Sequence, residues 1–583
     1  MSDSIEHKTT ETEFPNRLVY FLALAFVAVG IINSTPLIPG WDELWRGITG
    51  IEKLKTRTFP TEWFYPFVFS LMMLLVALKH SMWRSWKGTN KAVFGAFMDV
   101  ALVVSALAVS LTYLIEIDSV CLIDLMSGER ARIMAETLKA EIEFAETMGL
   151  PKPDTVEDPK CVSTTGVWLV AIMGSALIVF LGYNIKVWGF PLVAISLGIA
   201  AYTIITVLVW YFHGPDGINK YLVTKLGGEP RTFLDGVPNV HDALVNNASG
   251  FLGRFMHVIM NVVFPYIILG ALFGKSAGGQ TLIKLAFRWT RKLRGGPAHA
   301  AIVSSAMFGT ITGGPIVNVL STGVLTIPMM IKRGFSRVFA GGMEAAASSG
   351  GSIMPPVMGV AAFILAAMTA VPYRDVIIAA TLPALAYFLC LFLSASFQSR
   401  KQEINAFGKL TDEMRISGQD ILHLCQIILP ILLILVLLLT PKDMVGCGFV
   451  SSLFGANTII ENGRCTVISL PWIFQIFQNA AGDAGATGWW AAAFVMVLLF
   501  LDKDFRSKPG KLLDALAESG ITISTLYLMF LAVTVIDVCL NFTGLSKFVA
   551  IDVLRFLLSF DLGGEGAIIF QFFALLMTML LAV

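Results

Sequence analysis

The chain has 583 residues, of which 56% are hydrophobic and 14% charged, where soluble domains carry about 25% charged residues. That composition excludes an ordinary water-soluble enzyme and describes an all-α polytopic membrane protein. A formal net charge of +1, with no block of like charge, gives no case for a nucleic-acid partner.

After a short tail (1–16), apolar segments long enough to span, or nearly span, the hydrocarbon are predicted at residues 17–33, 63–78, 92–115, 164–183, 188–212 and 255–274. Others follow at 339–371, 375–397, 420–440, 483–501 and 518–541, giving about 11 to 12 transmembrane helices. The first segment is read as a retained helix, because no small-residue cleavage site follows it convincingly. Basic residues concentrate in the loops 79–91, 274–296, 331–337, 397–409 and 502–511. The positive-inside rule makes those loops cytoplasmic. With the amino terminus inside and residues 298–331 entering and leaving on one side, every one of them falls there.

Cys121 with Cys161 and Cys447 with Cys465 then share outer loops, where disulfides can persist. Whether either pair is bridged is open. Cys390, Cys425 and Cys539 lie in membrane segments, where packing as small apolar groups is expected. The outer loop 116–162 also contains "ERARIMAETLKAEIEFAETMG", an amphipathic helix suited to the lipid surface or to a partner.

Residues 17–212 form a five-span scaffold, and 213–254 a polar connector. Gly, Pro, Ser, Thr and Asn then gather in two clusters inside apolar sequence. In the first, "AMFGTITGGPIVNVLSTGVLTIPMM" (306–330), two short arms flank Thr312, Gly313, Gly314 and Pro315. This is turn chemistry for a re-entrant hairpin over 298–331. In the second, "MEAAASSGGSIMPPVMG" (343–359), Gly350, Gly351, Pro355 and Pro356 interrupt a segment otherwise able to span, predicting a discontinuous helix over 339–371.

Breaks of this kind survive in lipid where protein or a wet cavity surrounds them. Their free carbonyls, with hydroxyls from Thr312, Ser321, Ser348 and Ser349, can replace water around a small cation, while half-helix amino ends attract a carboxylate. The alternative is that the small residues only let helices approach closely.

The stretch 309–392, from "GTITGGPIVNVLSTG" through "MEAAASSGGSIMPPVMGVAAFILAAMTAVPYRDVIIAATLPALAYFLCLF", resembles the large membrane subunit of tripartite ATP-independent periplasmic (TRAP) transporters. The branch it resembles fuses small and large membrane subunits, with residues 1–212 as the small-subunit part. The resemblance implies a sodium-coupled secondary transporter of elevator type in the bacterial inner membrane. It would import small organic acids delivered by a periplasmic binding protein, without ATP, cofactor or catalysis.

On matching positions the resemblance implies a sodium site at Thr312, Gly313, Gly314, Asn318, Ser348, Ser349 and Gly350. Substrate would meet Asn318, Thr322, Ser349, Gly351, Ser352, Pro355 and Pro356. The family's hairpin tip is usually Ser-Gly-Ser-Ala. Here Thr312-Gly313-Gly314-Pro315 lacks one hydroxyl and one backbone donor. Residues 255–440 correspond to the first repeat, 441–482 to an external loop and 483–583 to an incomplete inverted second repeat. Because "GAIIFQFFALLMTMLLAV" resembles the first arm of a second hairpin, the sequence reads as truncated at Val583.

Charges inside spans mark function or pairing. Glu344 opens the broken segment and is a candidate site residue, with Asp537 a weaker one; Asp99 and His257 are expected to make packing contacts or to snorkel. "GALFGKS" (270–276) is one residue short of a phosphate-binding loop and follows a membrane helix. Glu344 and Ser348 share a helix face, which leaves an intramembrane hydrolase as an alternative, beside an ion channel and a non-functional fragment.

Overall fold

A computed structural model of the chain describes residues 17–36, 38, 41–50, 59–117, 138–143, 145, 167–213, 244, 250–276, 278–369, 371–406, 415–441, 445, 457–461, 464–469, 472–545 and 552. Nine helices among these residues are long and apolar enough to cross a membrane. Cys121, Cys161 and Cys447, the side chain of Cys465 and the stretch 565–583 lie outside the described residues. Of the expected amphipathic outer-loop helix, residues 138–143 are helical. The membrane part is all-α. The segment 441–482 adds one element the sequence reading did not include, a β-ribbon in which Asn457–Glu461 pairs antiparallel with Arg464–Ser469.

The chain forms two compact units. The first comprises Met1–Leu22, Phe59–His257 and Ile523–Phe556. Its spans Thr61–Lys79, Val167–Trp188 and Phe190–His213 touch the second part of Gly510–Thr543, and Ala92–Ile117 packs against Thr61–Lys79 and Val167–Trp188. Phe69 lies at its centre, with its ring edge-on to Phe180, Phe251 and Tyr527. Polar side chains pin helix to helix without exposing a donor to lipid. Asn184 Nδ2 donates to Leu528 O at 2.8 Å, and Ser196 Oγ to Ala532 O at 3.1 Å.

Asp99 accepts from Ser81 Oγ (2.6 Å), Met82 N (2.7 Å), Trp83 N (3.2 Å) and the Tyr183 hydroxyl. It covers the open amides of the short helix Met82–Ser85, so it is a satisfied packing contact. His257 is exposed, and its Nδ1 lies 3.1 Å from the Tyr65 hydroxyl. Asp537 belongs to this unit too. Its Oδ1 accepts from Asn541 Nδ2 at 3.1 Å.

The second unit comprises Ala23–Thr58, Val258–Thr522 and Leu557–Val583. The amphipathic helix Gly278–Thr290 packs beside the span Gly418–Leu439. Asp420 fastens the two, accepting from Lys284 Nζ at 3.0 Å and Thr281 Oγ1 at 3.1 Å while completing a capping box with Ser417. The helix Ala484–Phe500 begins at the cap Asp483, whose Oδ1 accepts from Ala486 N. Cys390 and Cys425 lie on exposed faces of their helices rather than in packed interiors.

The hairpin and the broken helix stand at the core of this unit. The hairpin's first arm, Gly296–Thr312, has 17 residues and reaches about 26 Å at 1.5 Å per residue, short of the roughly 30 Å hydrocarbon core. It ends because Gly313 takes a positive φ of 58° and turns its N–H back to Gly309 O. The return arm runs from Pro315 to Lys332, with a π-helical turn over Val319–Gly323.

The first half of the broken helix, Arg337–Gly350, starts at a Ser336 cap and passes into the single tight turn Gly351–Ile353. Residues 354–359 are non-helical, and Val360–Thr369 resumes the segment. Both breaks thus fall where glycine and proline interrupt the apolar sequence. Tyr373–Lys401 follows as an uninterrupted span.

Candidate functional site

Two backbone approaches bring the hairpin and the broken helix together, and each needs glycine. A Cβ on Gly309 would lie 2.3 Å from Gly351 Cα. On Gly351 it would lie 2.9 Å from Gly309 Cα and 2.8 Å from Asn318 Nδ2. On Gly313 it would stand 1.7 Å from Met358 O. The hairpin tip therefore meets the loop of the broken helix, while the first arm crosses that helix at the end of its first half.

Asn318 sits in the return arm and is fully buried. Its Nδ2 donates to Ser305 O at 2.9 Å across the hairpin, and its Oδ1 has no hydrogen-bond partner. A buried amide oxygen is costly to leave unpaired. The Nδ2 end of the same amide lies beside the Gly351 backbone, so Asn318 stands where the hairpin and the broken helix meet.

Glu344 organises a second group of contacts immediately alongside. Its carboxyl group is fully buried. Ser305 Oγ (3.2 Å), Ser348 Oγ (3.4 Å) and Thr322 Oγ1 donate to Oε1, and Thr326 Oγ1 donates to Oε2. These four hydroxyls come from the first arm, the return arm and the broken helix. Among the described residues of these elements, Glu344 is the one buried carboxyl group.

The remaining sequence candidates divide. Ser348 and Thr322 join the Glu344 cluster rather than facing open space. Thr312 Oγ1 donates to Phe308 O in its own helix, and Gly314 has room around it at the tip. Ser349 Oγ donates to Ala345 O, and Ser349 O accepts from Ser352 Oγ at 2.8 Å. Gly350 turns the other way, since a Cβ there would lie 2.5 Å from Tyr387 Cε1. Pro355 is half-buried and Pro356 buried in the loop. Asp537, in the other unit, takes no part in the cluster.

Sequence reading missed Ser305, Gly309, Thr326 and Tyr387. Tyr387 donates its hydroxyl to Ala346 O at 2.8 Å, bracing the half-helix from behind. One signal for Thr326 was present: Asn318, Thr322 and Thr326 recur every four residues, a single helical face. Ser305 carried no local signal.

Comparison with known proteins agrees with this architecture. The family "Tripartite ATP-independent periplasmic transporter, DctM component" matches residues 177–583, beginning inside the stretch 17–212 that the resemblance gave to a small-subunit part. The C4-dicarboxylate TRAP transporter large permease protein DctM of Vibrio cholerae is 26% identical over 159 residues, 27% of this chain and 35% of that protein. The isethionate TRAP transporter permease protein DctMQ of Oleidesulfovibrio alaskensis is 35% identical over 98 residues, 17% of this chain and 15% of its own. The uncharacterized protein y4mL of Sinorhizobium fredii is 26% identical over 196 residues, 33% of this chain and 46% of that protein. The chain thus spans less than half the length of each of these relatives. With a family match over most of its length and many apolar helices, the chain belongs to the DctM component family of tripartite ATP-independent periplasmic transporters, as a multi-pass protein of the bacterial inner membrane.

Proposed function

We propose that this chain is the permease of a sodium-coupled secondary transporter that imports small organic acids handed over by a periplasmic binding protein. The observation that carries the reading is the buried, unpartnered Asn318 Oδ1 at the crossing of two broken elements. Broken helices concentrate free carbonyls and half-helix dipoles at one depth in the membrane, as carriers of this architecture require. Backbone carbonyls freed at broken helices are the groups that coordinate a coupling sodium ion or proton in secondary transporters, and the amide and hydroxyl oxygens here add to that set.

Two relatives are named for C4-dicarboxylate and isethionate, a carboxylate and a sulfonate, which supports small organic anions as the substrate class. The hairpin and broken helix would move as one body, because Glu344 and the glycine contacts tie them together, and this favours elevator-type alternating access. A hydrolase built on Glu344 and Ser348 is disfavoured, because both side chains are fully buried and the carboxyl group is engaged by four hydroxyls.

The test is uptake of radiolabelled succinate by proteoliposomes holding the full chain and its binding protein. Accumulation should require an inward sodium gradient, not a choline one, and should not require ATP. Asn318→Ala should abolish it while the protein still inserts. Uptake indifferent to sodium, or an undiminished Asn318→Ala variant, would sink the assignment.

A further inference from the structure

Tyr373 opens the span that follows the broken helix and is almost fully buried. Its hydroxyl donates toward two carbonyls of the break, Val357 O at 2.6 Å and Pro356 O at 3.0 Å. These carbonyls lie where the helix is interrupted, and Pro355 and Pro356 supply no N–H of their own. The next residue, Met358, has a φ of 55°, which a side-chain-bearing residue rarely adopts. Its carbonyl is the group that faces Gly313 at the hairpin tip. A conformation so little favoured locally is held by contacts on either side of it: the Tyr373 hydroxyl on Val357 O and Pro356 O, and Gly359 N donating to Ser352 O at 2.6 Å.

The ring of Tyr373 is itself held. It stacks on Phe363 at 4.4 Å with an interplanar angle of 17°, and Phe363 lies 5.0 Å from the Tyr266 ring. The Tyr266 hydroxyl donates to Ala484 O at 2.9 Å, at the start of Ala484–Phe500. Three aromatic rings therefore connect the loop of the broken helix to the first helix of the second repeat.

We propose that Tyr373 is a positioning residue for the cation site: its hydroxyl holds the loop 354–359 against the hairpin tip, and the Tyr266–Phe363–Tyr373 stack carries that restraint from Ala484–Phe500. The inference rests on the cation-site reading given above. It makes the strength of cation binding depend on a phenol that touches no cation.

The experiment follows thermal unfolding of the purified full chain in detergent, titrated with sodium chloride against choline chloride at matched ionic strength. Stabilisation by a ligand that binds the folded state reports its affinity. Tyr373→Phe keeps the ring and the stack, and should raise half-saturating sodium about five-fold, the equivalent of one ordinary hydrogen bond. Phe363→Leu keeps the phenol but cuts the stack, and should raise it about two-fold by the loss of aromatic packing. Tyr527→Phe, which removes a buried phenol from Phe251 O in the other unit, should leave it unchanged. Wild-type sodium dependence in both Tyr373→Phe and Phe363→Leu overturns the proposal. A wild-type chain that sodium stabilises no better than choline overturns the cation site, and this inference with it.

Discussion

Gly309→Ala tests the packing that creates the candidate site. The added Cβ would lie 2.3 Å from Gly351 Cα and 3.0 Å from Gly351 O, both backbone atoms that cannot rotate away. Ordinary van der Waals contact begins at 3.4 Å, so the first arm and the broken helix must separate by about 1.1 Å. Overpacking of a tight core typically costs about 1–3 kcal/mol. The shift would also stretch the bond from Ser305 Oγ to Glu344 Oε1, which joins the same two elements at 3.2 Å. Alanine is a better helix former than glycine, so helix propensity alone predicts the opposite sign, a gain of up to about 1 kcal/mol. The assay compares thermal unfolding of purified Gly309→Ala with Gly341→Ala and Gly342→Ala, glycines that have nothing within 4 Å of a built Cβ. The Gly309 variant should unfold several degrees lower and lose sodium-specific stabilisation, and the other two should be neutral or slightly stabilised. If all three behave alike, the close approach of the two broken elements is not what holds this region together.

Two further substitutions probe the buried polar anchors. Glu344→Gln preserves volume but replaces one acceptor oxygen with a donor facing hydroxyls, and should destabilise the chain by about 1–3 kcal/mol, read from its melting transition; Glu344→Leu should be worse, because four hydroxyls lose their common acceptor. Asp420→Asn removes the charge that faces Lys284 and weakens the capping box with Ser417, and should expose the Gly278–Thr290 segment to limited proteolysis while Lys284→Met does so less.

The breaks of the second unit were legible because glycine and proline act on the backbone at their own position. Gly313 and the Pro355 and Pro356 pair interrupt the helices where they stand, whatever surrounds them. Hairpin geometry was equally legible, since each arm is too short to cross. Side-chain partnerships were not. Ser348 and Ser349 were both expected at the site, yet only Ser348, on the helix face of Glu344, turns toward it, and Ser349 folds back on Ala345 O. Gly350 and Gly351 divide the same way, one against Tyr387 and the other against Asn318. The π-helical turn after Asn318 left no clear mark in composition, although Asn318, Thr322 and Thr326 still converge.

Composition and periodicity by themselves determined that this is a membrane protein, where most of its helices lie and where two of its segments are interrupted. Those properties follow from the transfer of each residue out of water and from its own φ and ψ, which are local. Only the tertiary structure decided that Ser305, Thr322 and Thr326 converge on Glu344, and that Tyr373 holds the loop of the broken helix. Hydrogen bonds across 16 to 39 residues depend on how whole helices pack, and helix packing here turns on glycine contacts between elements, which no single segment encodes.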